Sequence, residues 1–351
     1  MRIHANMLAT YFPDRNGTPE DFYRQIMEQV QLAEELSFDG FWFTEHHFIQ
    51  YGGSVPNPAT MISAAAIKTS RIRLGSCVSI LPLHHPLQAA EDYAMADLLS
   101  HGRLEFGIGS GNTQKDYDVF QIGRGESRER YEEAAGLIVK AWTNKRFSHA
   151  GKFWQMEDVE LHPKPLQRPH PPMWVAGTSE AGLGWAGRMG YDIMTVAHPH
   201  PPERQRPGVA AWRRGLLEGG HDPRPRHCQL HARIFAGENR ERARETAMAA
   251  IVRYDTTSRV RGRAPGAEPA ACEPDYDWEA MERAGRNIYG TPDDCIEGIK
   301  RAQAHYDFDM LSATFNFGGL THEEVTASMR LFAREVMPAF AGVAAEGAVS
   351  V

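Results

Sequence analysis

Trp42-Phe43-Thr44-Glu45-His46-His47-Phe48 is a short apolar run that stops abruptly on a carboxylate and two imidazoles. With Gly40 and Phe41 before it, the run has the length and composition of a buried strand. In a (β/α)8 barrel the carboxyl ends of the strands carry the chemistry. Glu45, His46 and His47 would then stand at the mouth as candidates for acid, base or hydrogen-bond work. What flanks the run decides whether it is a barrel strand.

On both sides, short β-rich runs alternate with longer amphipathic stretches, the pattern of parallel strands joined by helical crossovers. Ile3 to Leu8 reads as strand one. Thr18-Pro19-Glu20-Asp21 supplies an N-cap, an early proline and acidic residues for a helix with Phe22, Ile26, Val30, Ala33 and Leu36 on one face. Gly40 to Thr44 is strand two, Asn57-Pro58 opens the next helix, and Ile72 to Ile80 is strand three. A helix from Pro86 to about Leu99 leads to strand four at Arg103 to Ile108, a polar loop from Asn112 to Gly125, and a helix over Ser127 to Trp142. Strands five to eight fall at Met173 to Ala176, Tyr191 to Val196, Gln229 to Ala236 and Asp309 to Phe315. The expectation is a TIM-type (β/α)8 barrel in one domain over residues 1–340, with a flexible tail over 341–351.

Two segments interrupt the rhythm. Between Arg146 and Val159 the pattern around Ala150-Gly151-Lys152 predicts an inserted β-hairpin serving as a lid or rim element. From 256 to 287 the Arg-Gly-Arg-Ala-Pro-Gly stretch is unsuited to regular structure and reads as a mobile lid loop. It would start near the bottom of the barrel, before strand eight, with room to fold up over its side or mouth.

The formal charge of -7, from 38 basic and 45 acidic residues without long single-sign runs, argues against a nucleic-acid partner. Cys77, Cys228, Cys272 and Cys295 show no metal-ligand or paired-thiol spacing and read as free thiols. No apolar run approaches the roughly 20 residues needed to span a bilayer, and the expected location is the cytoplasm.

Adjacent His46 and His47 on an extended segment point to opposite sides and would not chelate one metal ion; the alternative to a catalytic role is one His beneath the loop and one at a strand end. Gly107-Ile108-Gly109-Ser110-Gly111 is followed by polar loop rather than helix, which excludes a dinucleotide fingerprint. Those glycines suit either a flat ligand pressed against backbone or a tight turn. Ala176-Gly177-Thr178-Ser179-Glu180 runs from strand five into a helix, so its first-turn N–H groups would suit a phosphate, with plain capping by Thr178 or Ser179 as the alternative.

Glu45-His46-His47-Phe48, Leu81-Pro82-Leu83-His84-His85-Pro86-Leu87 and Gly102-Arg103-Leu104-Glu105-Phe106-Gly107-Ile108-Gly109 together resemble the bacterial luciferase-like flavin monooxygenases. The likeness continues through Lys115 to Phe120 and returns at Tyr289 to Ile296 and Ala327 to Phe332, in order along nearly the whole chain. The resemblance implies a dimeric TIM-type barrel using reduced FMN delivered by a separate flavin reductase. In that family the flavin reacts with dioxygen to give a C4a-peroxyflavin that oxygenates a small organic substrate, here expected to be an apolar aldehyde, ketone or terpenoid.

By the same resemblance His46 matches the catalytic histidine, with Glu45 beside it at the flavin. Cys77-Val78 matches the place of a non-proline cis peptide behind the flavin ring, and Gly177 to Glu180, with Ala176 before them, match the FMN-phosphate segment. Gly109 and Ser110 stand where luciferase catalytic subunits have a cysteine and a phosphate-binding arginine. Lys115 or Arg188 would have to compensate, and light emission is not expected. The 256–287 stretch matches the mobile loop, with Arg283 and Arg286 as its cations. The resemblance also places the dimer contact on helices flanking strands two and three, where Ala64, Ala65 and Ala66 allow close approach. A deazaflavin-dependent hydride-transfer enzyme on the same fold and a non-catalytic flavin-binding subunit remain the alternatives.

Overall fold

The computed structural model describes residues 1–48, 52–197, 201–259 and 277–341. Its strands are β1 (Arg2–Met7), β2 (Gly40–Phe43), β3 (Arg73–Ser76), β4 (Ser79–Ile80), β5 (Leu104–Gly109), β6 (Phe147–Ala150), β7 (Gln155–Val159), β8 (Met173–Ala176), β9 (Asp192–Val196), β10 (Cys228–Ala236), β11 (Asn287–Gly290) and β12 (Met310–Asn316). β1, β2, β3, β5, β8, β9, β10 and β12 are parallel neighbours, and β10 closes the ring by pairing with both β12 and β9. This is the expected eightfold barrel, and all eight carboxyl ends lie at one mouth.

The helices start where the sequence supplies caps. Thr18 and Asp21 form a reciprocal capping box at Pro19–Glu35, as do Thr291 and Asp294 at Pro292–His305 and Thr321 and Glu324 at His322–Leu331. Strand side chains alternate. Phe41, Phe43, Leu74, Phe106, Ile193, Leu230 and Leu311 are buried in the shell beneath the helices, while Trp42, Trp174, Met194 and Met310 form a separate cluster inside the ring. Around that cluster the interior is polar: Trp42 Nε1 and Gln229 Nε2 donate to His4 Nδ1 at 2.6 and 3.1 Å, and Asn6 Nδ2 donates to His231 Nδ1 at 2.6 Å.

Several expectations need correction. Strand three is not continuous: it breaks at the cis Cys77–Val78 peptide, and β4 then pairs with the end of β5. The 112–125 loop contains a helix at Gln114–Val119, held by Tyr117, which is fully buried against Ile80 and Leu83. The hairpin β6–β7 is fastened along the outer side of the Ser127–Thr143 helix and is no lid over the mouth. Glu133 accepts from the backbone N–H groups of Lys152, Phe153 and Trp154, and Lys140 Nζ donates to the Ser148 carbonyl.

The expected lid stretch is partly regular. The helix Arg240–Arg259 runs into it, and a second helix at Trp278–Arg283 and the strand β11 close it. Arg253 Nε donates to the carbonyl of Gly318, just beyond the end of β12, so the first helix reaches the mouth rather than the bottom. The remainder of the expected lid, 260–276, and the expected tail beyond 341 lie outside the described residues, as does Cys272. Cys77, Cys228 and Cys295 are free thiols. β11 is an addition no pattern announced. Arg233 of β10 faces Thr314 of β12 on one edge and Asn287 of β11 on the other, so β11 takes the edge that β9 occupies lower down. No described helix is long and apolar enough to cross a membrane.

Candidate active site

Where β2 ends, the chain turns Glu45 inward and buries it fully. Glu45 Oε1 accepts from His47 Nε2 at 3.0 Å and His84 Nε2 at 2.8 Å, while Oε2 accepts from the Ile80 N–H at 3.2 Å. Burial alone would push its carboxyl up, but the two imidazoles outweigh burial and hold it below the usual carboxylate range. The same bond raises His84 against the opposing effect of its own burial. Glu45 is thus a brace tying the β2 loop to the Leu81–Leu83 turn, and its oxygens are engaged by protein. His47 turns into that brace and meets the Phe120 ring edge-on at 5.1 Å between centroids.

His46 lies between them on the opposite side of the segment, partly exposed. Gly52, at φ 66°, packs behind it: a Cβ there would come within 2.5 Å of His46 Cδ2. The ring therefore stands where a larger neighbour would displace it.

Beside this loop, Cys77 Sγ lies 3.6 Å from His231 Nε2 across the barrel, and burial pushes the thiol up to about 12 and His231 down to about 3. Both are neutral at ordinary pH. The glycines of β5 make room for this neighbour rather than directly for a ligand. A Cβ on Gly107 would sit 1.9 Å from the Ser76 carbonyl oxygen, and one on Gly109 2.6 Å from Val78 Cγ2. Gly111, at φ 72°, provides the tight turn. The Tyr117 hydroxyl donates to the Ser110 carbonyl.

At the end of β8, the Gly177 N–H donates to the Met194 carbonyl at 3.1 Å, and Ser179 caps the helix Glu180–Arg188 through Gly182 N–H at 3.2 Å. The first-turn N–H groups of Glu180 and Ala181 have no place in the helical ladder and point out of its start. Ends of β2, β3, β5 and β8 thus gather His46, Cys77–Val78, Gly109–Ser110 and Ala176–Glu180 on the same end of the barrel. A separate cavity of about 600 Å³ opens at the other end, lined by Arg73, Glu105, Trp174, Asp192 and His227 among others. It lies at the amino ends of the strands, away from these groups.

A model of the luciferase-like monooxygenases matches residues 1–306. The chain belongs to the luciferase-like monooxygenase family. Two uncharacterised Sinorhizobium fredii proteins are 35% and 36% identical over 174 and 176 residues, and the chain spans about half the length of each. The oxygenase component of the flavin-dependent trigonelline monooxygenase of Acinetobacter baylyi is 28% identical over 92% of this chain and 91% of its own. Among solved structures, monooxygenase RslO1 from Streptomyces bottropensis superposes with a TM-score of 0.89 at 26% identity, over 97% of this chain and 100% of that one. The oxygenating constituent of 3,6-diketocamphane monooxygenase from Pseudomonas putida, in complex with FMN, has a TM-score of 0.77 at 20% identity, over 96% and 98% of the two chains. That last likeness is one of fold.

Within this luciferase-like chain, neither cation proposed for the lost arginine is placed to replace it. Lys115 Nζ donates to the Phe48 carbonyl at 2.9 Å, and Arg188 ends its helix at the far side from Ser179, 3.5 Å from Glu218. Arg128 is nearer, its Nη2 donating to the Ala181 carbonyl at 3.1 Å. Arg283 belongs to a helix and pairs with Glu279 at 3.2 Å. Sequence reasoning gave His84 no role beyond its motif and passed over His231 and Arg233. The signal for the last two was present: in Gln229-Leu230-His231-Ala232-Arg233 every second residue is polar, which inside a closed barrel marks a wet inner face.

Proposed function

We propose that the chain is the oxygenase of a two-component system, taking reduced FMN from a separate flavin reductase and inserting an oxygen atom of dioxygen into a small organic molecule such as an aldehyde or ketone. The observation that carries this reading is the convergence of four strand ends around His46, Cys77–Val78 and the Ser179-capped helix. The residues fit FMN. Glu180 and Ala181 N–H groups, with Thr178 and Ser179, would hold the phosphate. Ala176, Gly177 and Ser110 leave space for the flat ring system beside Cys77 and Val78, and Gly109 acts indirectly by making room for the Val78 side chain. Thr44 Oγ1, enclosed and without a hydrogen-bond partner among the described residues, is one acceptor a ligand would satisfy.

When bound, reduced FMN supplies the electrons that activate dioxygen. His46 would hold or pass a proton at Nε2, because Nδ1 is enclosed by protein. Glu45 positions the His46 loop through His47 and His84. The apolar group of Val78, Ile80, Leu83 and Tyr117 keeps water from that side of the mouth. Cys77, held as a thiol, contributes shape rather than charge.

A second copy of the chain is the proposed partner on the helices flanking β2 and β3. Ala65 and Ala66 are buried by ordinary packing on the barrel, but Ile67, Met95, Leu98 and Leu99 are 69%, 45%, 39% and 43% exposed on that face. Analytical ultracentrifugation of wild type and Ile67→Asp tests it; a monomeric wild type removes the proposal.

Anaerobic titration with photoreduced FMN, and separately with a reduced deazaflavin, tests the cofactor. The expected result is saturable binding of FMN and slower reoxidation in air than free flavin. Binding of the deazaflavin alone would instead favour hydride transfer, and binding of neither would end both readings.

A further inference from the structure

On β10 the inner face carries Gln229, His231 and Arg233, while Leu230 and Ile234 face the helices. The lower two are tied to protein: Gln229 Nε2 to His4, with Gln229 Oε1 enclosed and without a hydrogen-bond partner among the described residues, and His231 to Asn6 and Cys77. Arg233 stands one pleat closer to the mouth, above the residue that touches Cys77. Its side chain is 7% exposed. The guanidinium lies over the Tyr254 ring, with Cζ 4.2 Å from the centroid, and Nη2 reaches Asp255 Oδ1 only at 3.4 Å. Nη1 is enclosed and has no hydrogen-bond partner among the described residues, and the same is true of Oδ1 of Asn287, its neighbour in register on β11.

A guanidinium has five N–H donors, and burying it beside one long ion pair is unfavourable unless something supplies the missing acceptors. Its planar fork matches the two oxygens of a carboxylate. Asn287 Nδ2 is directed at Met281 Sδ at 3.9 Å, so its amide must turn over to present an N–H to such a group. We propose that Arg233 binds a carboxylate on the substrate, with Asn287 as the second contact, so that the rest of the molecule extends toward Cys77–Val78. The inference rests on the monooxygenase reading of the mouth and sharpens it from a small organic molecule to a small organic acid.

The probes are benzoate and nicotinate, each against its uncharged amide, titrated calorimetrically into the full chain, both flavin-free and anaerobically saturated with photoreduced FMN. At least one acid should bind wild type about tenfold or more tightly than its amide. Arg233→Met should weaken that acid roughly 30-fold or more while leaving FMN affinity unchanged, and Arg233→Lys should restore part of it. Because Arg233→Met removes the guanidinium beside partly buried Asp255, Arg233→Met/Asp255→Asn provides a second variant, and thermal melts establish that each is folded. If no acid is preferred in either flavin state, or if the folded variants bind acid as well as wild type, the proposal is overturned. Should wild type bind an acid through Arg233 yet fail to bind reduced FMN, the carboxylate site stands and the flavin reading falls.

Discussion

At the foot of the barrel Arg73 and Trp174 both donate to Glu105, and His227 holds Asp309; at the mouth Arg233, Asn287 and Thr44 each keep an enclosed polar atom without a hydrogen-bond partner among the described residues. The lower barrel has its own exceptions in Arg226 Nε, His4 Nε2 and Gln229 Oε1. The contrast teaches where each charge acts. Polar groups that answer one another hold strand ends in place, whereas groups left waiting describe something that binds. Glu45 crosses the division, being at the mouth yet fully engaged, and its effect on chemistry passes through the loop it braces.

The largest effect expected on either side is at the foot. Glu105→Ala leaves the Trp174 indole N–H buried without an acceptor and Arg73 without its partner. It should destabilise by about 3–5 kcal/mol in urea unfolding, with turnover per folded molecule unchanged. A large loss of specific activity at full folding would break the comparison. At the mouth, His46→Ala should lower kcat by roughly 10²–10³-fold with little change in Tm, the reverse signature. A variant that unfolds but turns over normally when folded would move His46 to the structural side.

Asp192 sharpens the contrast through pH. Burial pushes its carboxyl from 3.8 up to about 7, against a hydrogen bond from the His227 N–H. A raised carboxyl contributes full stability below about 4, and that contribution declines as pH rises, levelling off above about 7. Asp192→Asn should therefore match wild type near pH 4 and exceed it by about 2–4 kcal/mol at pH 8, read from denaturant midpoints. Equal stability at both pH values would show that the foot solvates this group.

The smallest expected effect belongs to Glu45→Gln, about 1–2 kcal/mol with a several-fold loss of kcat. Glu45 is lowered from 4.5 and His84 raised from 6.5. The carboxylate's share is present above 4.5 and fades as acid takes the folded value; the imidazole's share is present below 6.5 and fades as base does. The wild-type advantage over Glu45→Gln should peak between those two pH values.

Much of the barrel was legible because period and punctuation agree. Thr18-Pro19 and Asn57-Pro58 open helices where they predict, and seven of the eight barrel strands fall within a residue or two of their apolar runs. What escaped depended on tertiary contact. The Gln114–Val119 turn is fixed by burying Tyr117, β11 by pairing with the upper half of β10, and the course of the Arg240–Arg259 helix by its bond to Gly318. At the site, Glu45-His46-His47 could be found as a cluster but not apportioned, since the partner that settles the geometry of Glu45, His84, comes from the next loop.

The fit of Gly107 against the Ser76 carbonyl has a consequence for descent. A side chain cannot arise at 107 until the Ser76–Val78 segment has already moved, and that segment has no reason to move while position 107 stays bare. The two neighbouring strand ends are thus locked into one heritable unit. Grafts between relatives that exchange one without the other should fail, while those that carry both across should survive.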